Sequence, residues 1–157
     1  MPALLVETSA PIAAIWDFSG AVSVAGTEVG GVPGGASTIL NVNQPFAVNY
    51  NWQIADNSGW NVCDLINPAL VEWRAEIFFE KMGGSEAEPL AAHRQRTMAW
   101  AGCGPYNLNW QVPSNQVQAG VYRVTAVLQL FLTSGGAPLS MVAFSDLGIF
   151  NFYEGIV

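Results

Sequence analysis

The chain has 157 residues, enough for one domain with a substantial core, and only 11% of them are charged, against about a quarter in an average soluble domain. Much of its surface must therefore be Asn, Gln, Ser, Thr and Gly. Five Lys plus Arg against twelve Asp plus Glu give a net charge of −7, which repels phosphate and excludes nucleic acid as an expected partner; the longest apolar runs, such as Ile12 to Trp16, fall far short of the roughly 20 residues of a membrane-spanning helix, so no membrane insertion is expected.

Along the chain, turn signals separate candidate strands, and no segment reads as a convincing helix. The first is an apolar N-terminal arm, residues 1–25, with candidate strands at Ile12 to Phe18 and Ala21 to Ala25. It lacks Lys or Arg before Arg74, so the basic region of a secretory signal is missing and the cytoplasm is the default address. If Met1 replaces a cleaved signal, export fits equally well.

Residues 26–37 hold five glycines and Pro33, the composition of a loop or linker. Two readings of the arm stay open: it supplies the first strands of the same sheets, or it pairs with a neighbouring subunit across the flexible connection. On the second reading, removing residues 1–30 leaves the core folded.

Next come Thr38 to Val42 and Phe46 to Ile54. In the latter Phe46, Val48, Tyr50, Trp52 and Ile54 share one face and Ala47, Asn49, Asn51 and Gln53 the other, the period of a half-buried strand. Leu70 to Met82 also has period two, with Trp73, Ala75, Ile77 and Phe79 alternating with Glu72, Arg74, Glu76 and Phe78. Pro89 to Trp100 follows. Tyr106 to Val112 repeats the earlier grammar, Asn107, Asn109 and Gln111 facing outward. Val121 to Thr133 and Leu139 to Tyr153, the last broken near Gly148, complete the series. Uncharged amides on two strand faces suggest a surface made to be covered. A run of short strands with this punctuation argues for an all-β sandwich or barrel in a single domain over 1–157.

At Gln118-Ala119-Gly120-Val121-Tyr122-Arg123-Val124 a Gly-x-Tyr opens a long strand. This resembles the tyrosine corner of immunoglobulin-like sandwiches, and Trp73 resembles their core Trp on strand C. The resemblance covers roughly Thr38 to Tyr153 and implies an immunoglobulin-like antiparallel β-sandwich of about seven to nine strands. Val124 stands where such domains carry their second core Cys, so their inter-sheet disulfide is absent.

Cys63 and Cys103 fall in loops that strand direction brings to one end. They are either a disulfide pair or two free thiols. His93, the sole histidine, has no nearby carboxylate except Glu88 and reads as a partly exposed strand residue. Glu72, Glu76 and Glu80 share a face with Arg74. They read as a solvated ladder paired with Arg94 and Arg96, ahead of a general acid and base. Asp56-Asn57-Ser58-Gly59 with Asp64 offers oxygen ligands without EF-hand spacing, and no metal or other cofactor is expected.

Of six tryptophans, Trp16, Trp52, Trp73 and Trp110 lie on apolar faces, whereas Trp60 and Trp100 sit in or beside loops and are expected at the surface. With no catalytic constellation visible, the expected role is a non-catalytic interaction module that self-assembles or packs against a protein partner. It would use its strand faces and the loop end around Trp60, Cys63, Cys103 and Ser134 to Ala137. The alternative is a lectin-like carbohydrate-binding domain in which Trp60 and Trp100 stack a sugar ring flanked by Asp56, Asn57 and Asn61.

Overall fold

The computed structural model of the chain describes residues 3–8, 16–26, 39–83 and 95–155. Among them are nine strands and one helical turn: β1 (Leu5–Thr8), β2 (Trp16–Gly26), β3 (Ile39–Asn41), β4 (Phe46–Asp56), α1 (Val62–Leu65), β5 (Val71–Lys81), β6 (Gln95–Ala99), β7 (Tyr106–Val112), β8 (Gly120–Leu132) and β9 (Pro138–Tyr153). They form two sheets, one ordered β2-β4-β7 and the other β1-β9-β8-β5-β6 with β3 also on β9. No helix among the described residues is long and apolar enough to cross a membrane.

Period two governs burial as the sequence predicts. In β4 and β5 each inward residue, Phe46 to Ile54 and Val71 to Phe79, is buried, while the residues between them are half-buried or exposed. The two inner faces build one core with two aromatic clusters. Near the loops that follow β4 and β6, Trp100 stacks against Trp16 and Trp73, and Trp52 stacks on Tyr106 and meets Trp73 edge-on. At the opposite end Phe46, Phe79, Tyr122 and Phe152 pack edge-to-face. There the Tyr122 hydroxyl donates to the Gln118 carbonyl at 2.9 Å.

Several expectations need correction. Ile12 to Phe18 and Ala21 to Ala25 are not two strands. From Trp16 to Gly26 the chain is one strand, residues 12–15 lying outside the described set. Gly20 is no turn: a Cβ there would stand 2.6 Å from the Asn51 carbonyl oxygen and 2.9 Å from the Trp52 Cβ, so glycine lets β2 lie close on β4. Gly148 does not break β9. Register shifts between Val124 and Thr125, which face Gly148 and Asp146, so Leu147 is the extra residue of a bulge and Gly148 takes φ +90°. The larger sheet is not wholly antiparallel, because β3 runs parallel to β9. One helical turn, α1, appears where none was expected.

The N-terminal arm belongs to both sheets of its own chain. Ala3 bridges to Ala21 and Leu4 N–H donates to the Gly20 carbonyl, after which β1 crosses to pair with β9. Because β2 buries Trp16, Val22 and Val24, removing residues 1–30 would open the core instead of leaving it folded. Most of the glycine-rich stretch, residues 27–38, lies outside the described residues, as do residues 84–94 before β6.

Candidate functional site

The loop from residue 57 to 70 leaves β4, carries α1 and enters β5 at the end where β6 passes into β7 and β8 turns into β9. Thr133 N–H donates to the Leu70 carbonyl at 2.9 Å, tying the β8–β9 turn to this loop. Cys63 and Cys103 are bonded to each other with Cα atoms 5.3 Å apart, so a covalent link joins the loop after β4 to the segment before β7. The Ile54 N–H donates to the Cys103 carbonyl at 2.8 Å, and the Tyr106 hydroxyl accepts from Ala101 N–H and donates to the Gly102 carbonyl. The 100–105 segment is thereby fixed to the strand that follows it.

Asp56 anchors the loop. Its Oδ1 accepts from the Ser58 N–H at 2.9 Å and the Ser58 hydroxyl at 2.5 Å, and its Oδ2 accepts from the Cys63 N–H at 3.1 Å and the Trp16 indole at 3.2 Å. The Ser58 hydroxyl first, then the two backbone N–H groups and the Trp16 indole, hold its carboxyl well below the usual carboxylate range against some desolvation. A carboxylate with both oxygens turned into its own loop is a structural brace. Ligand atoms of Asp56, Cys63 and Cys103 lie within 4.8 Å of one another, but the sulfurs are spent on each other and the oxygens on donors. The group therefore offers no metal a free ligand set.

The candidate residues part company here. Trp60 is 79% exposed, its backbone N–H donating to the Ser58 hydroxyl. Trp100 is 2% exposed, which overturns the expectation of a surface position: its ring lies between Trp16 and Trp73 at centroid distances of 5.8 and 5.9 Å, and its indole donates to the Cys63 carbonyl at 3.0 Å. Although β6 ends at Ala99, Trp100 keeps its alternation, following Met98 onto the core face and filling the core end. Asn57 donates to Asp17 at 2.7 Å and Asn61 donates to Asp64, Asn61 holding a left-handed φ of 53°. Both Asn side chains thus bind within the loop end.

Sequence reasoning missed two exposed side chains of this loop. Leu65, in α1, is 74% exposed and Leu70 57%. In Cys63-Asp64-Leu65-Ile66 the sequence does not say which apolar residue is buried, and only the single helical turn, with Cys63 and Ile66 packed on the core, sends Leu65 outward. Other exposed apolar side chains are Leu5, Ile39, Phe78, Met82, Val121, Leu132 and Ile149; of these Ile39 and Val121 flank Asn151 on the six-stranded sheet, with Ile149 two residues away on β9.

The acidic ladder on β5 is partly as expected. Glu72 accepts from Arg74 at 2.9 Å, but Arg96 does not join it. Paired with the buried Ala75, Arg96 faces the other way and holds its guanidinium 5.6 Å from the Trp110 ring centroid. Arg94, His93 and Glu88 lie outside the described residues. The outer face of the three-stranded sheet carries Ser19, Asn49, Asn51, Gln53, Asn107, Asn109 and Gln111, with Gln111 donating to Asn109 and Asn109 donating to Asn49 at 2.7 Å. Compared with known proteins, the chain matches no family model, no curated protein and no solved structure.

Proposed function

We propose that the chain is an immunoglobulin-like sandwich acting as a non-catalytic interaction module that packs against a protein partner through its loop end. The fold reading rests on strand order: β2-β4-β7 and β9-β8-β5-β6 run as A-B-E and G-F-C-C′. Tyr122 then stands at the start of strand F with its hydroxyl on upstream backbone, and buried Trp73 on strand C. In that scheme the loop after β4 and the β8–β9 turn are the B–C and F–G loops, which share the end of the sandwich that variable domains use for binding.

The observation that carries the function is the exposed Trp60 on a loop that cannot fold away from solvent. Asp56 and the Cys63–Cys103 bond fix that loop, so its ordering cost is met before any partner arrives. An exposed Trp on a braced backbone, with leucines in the same loop, is the composition of a protein-binding hot spot. The leucines favour a protein over a glycan, and the amides of Asn57 and Asn61 are already engaged.

The test is a photoreactive phenylalanine analogue at position 60, irradiated in the cells that make the protein. A discrete protein adduct, lost on Leu65→Asp, is expected. Diffuse labelling, or a glycan-array signal that disappears in Trp60→Ala, would overturn the proposal.

A further inference from the structure

A strand at a sheet edge leaves alternate backbone N–H and C=O groups without partners. Chains guard such edges by keeping them short, charged or covered. Among the described residues, three edges are guarded. Along β9, β1 has four residues and β3 three; β6 has five and carries Arg96; β2 carries Asp17 and is covered midway by Ala3 and Leu4. β7 has seven residues, no charge, no proline and an unbroken register against β4. Among the described residues β6 covers β5 only from Glu72 to Glu76, and the stretch of β5 beyond it ends in Glu80 and Lys81, the one lysine of the chain, so it too carries charge.

Hydrogen-bond alternation fixes which groups of β7 face outward. Leu4 donates to the Gly20 carbonyl on the side of β2 away from β4, so Gly20 and its opposite residue Trp52 are a pair not bonded across β2 and β4. Trp52 therefore directs its backbone groups to Tyr106. Ile54, two residues on and in the same phase, indeed donates to the Cys103 carbonyl. Tyr106, Leu108, Trp110 and Val112 are thus spent on β4, and the N–H and C=O groups of Asn107, Asn109 and Gln111 point away from the sheet.

We propose that β7 pairs antiparallel with β7 of a second copy about a two-fold axis at Asn109, joining two three-stranded sheets into one. On such an axis Asn109 meets its own counterpart and Asn107 meets Gln111 of the partner subunit, each pair exchanging two backbone hydrogen bonds. A two-fold sets like against like, so a charged strand would repel itself. The order Tyr106-Asn107-Leu108-Asn109-Trp110-Gln111-Val112 instead reads apolar, amide, apolar, amide, apolar, amide, apolar in both directions. An amide both donates and accepts, so it is complementary to another amide, and the row Gln111, Asn109, Asn49 continues across the axis. In a chain of net charge −7, this uncharged edge is where two copies approach without like charges meeting. Only a strip of surface is buried, so the dimer is weak and forms at high protein concentration. The proposal deepens the interaction reading by naming one partner, but it rests on β7 and not on the loop end.

Sedimentation velocity over a concentration series to high micromolar should show a monomer–dimer equilibrium. Asn109→Lys should move its midpoint to about tenfold higher concentration by placing like charges in register, while Trp60→Ala leaves it in place. Oxidised Asn109→Cys should give a covalent dimer. Asn107→Cys should not, because the two copies of that residue would lie about 13 Å apart along the strands. A wild-type monomer throughout, a dimer unaffected by Asn109→Lys, or equal cross-linking at both positions would overturn the pairing. A dimer lost in Trp60→Ala would assign association to the loop end and overturn it too, whereas failure of the loop-end reading in the photo-cross-linking test leaves these outcomes unchanged.

Discussion

The two aromatic clusters fill opposite ends of one core with different chemistry. At one end Phe46, Phe79 and Phe152 surround Tyr122, whose hydroxyl donates to the Gln118 carbonyl. At the other, each indole brings an N–H into the interior. Trp16 gives its own to Asp56 and Trp100 gives its own to the Cys63 carbonyl. The Trp52 and Trp73 indoles of this end have no hydrogen-bond partner among the described residues, and neither has that of Trp110, which lies opposite Val48 toward the phenylalanine end. A phenyl ring brings no donor into the core, whereas an indole does, and here the loop end supplies the acceptors for two of them. The loop end is therefore part of the core's hydrogen bonding, and disturbing the loop should reach the tryptophans.

That asymmetry makes the largest expected effect the loss of the disulfide. Replacing Cys63 and Cys103 by Ala releases a loop closed over a sequence separation of 40 and should lower stability by about 3 to 4 kcal/mol in chemical denaturation. Near-ultraviolet circular dichroism of the tryptophans should change with it. An unaltered tryptophan signal would break the link between loop and cluster.

Asp56→Asn should come next. One amide oxygen cannot accept from four donors, and the amide N–H groups would face the Cys63 N–H or the Trp16 indole. The folded carboxyl is held below its ordinary pKa, so its stabilisation is complete above the unfolded value and is lost as pH falls toward the folded one. Denaturation midpoints of wild type and variant should thus differ at neutral pH and converge as pH drops below about 4. A gap that persists in acid would mean that Asp56 acts through shape and not through charge.

Smaller again, Tyr122→Phe removes one buried hydrogen bond at the phenylalanine end and should cost about 1 to 2 kcal/mol, without touching the tryptophan signal. An unchanged midpoint would show that this end needs no polar anchor at all. Smallest is Trp60→Ala, which removes a side chain that is 79% exposed and should shift stability by less than about 0.5 kcal/mol. A larger loss would mean that Trp60 packs on the loop and is not free to bind.

The sequence made the strands legible where one face is buried. β7 matches its expected bounds, and β4, β5 and β8 lie within two residues of theirs, because alternation and burial are the same signal there. It failed where the backbone does something a pattern does not encode. Gly20 marks a close approach and not a turn, and Gly148 a bulge and not an end. In the site, Trp60 was readable from its Asn, Ser and Gly neighbours. Trp100 was misplaced by its nearness to Gly102, although it continues the alternation of Arg96 and Met98, which lie opposite the inward Ala75 and Trp73. Leu65 was hidden because its direction is set by the one helical turn that the sequence does not announce, and the role of Asp56 by donors that only folding assembles.

The uneven placement of the six tryptophans also has an optical consequence. Trp16, Trp52, Trp73, Trp100 and Trp110 are buried and Trp60 stands in water, so a neutral collisional quencher should extinguish a small red-shifted share of the emission and leave the blue-shifted remainder. That accessible share belongs to a single side chain at the proposed docking end. Its disappearance on titration would therefore report occupancy of that end without any attached label.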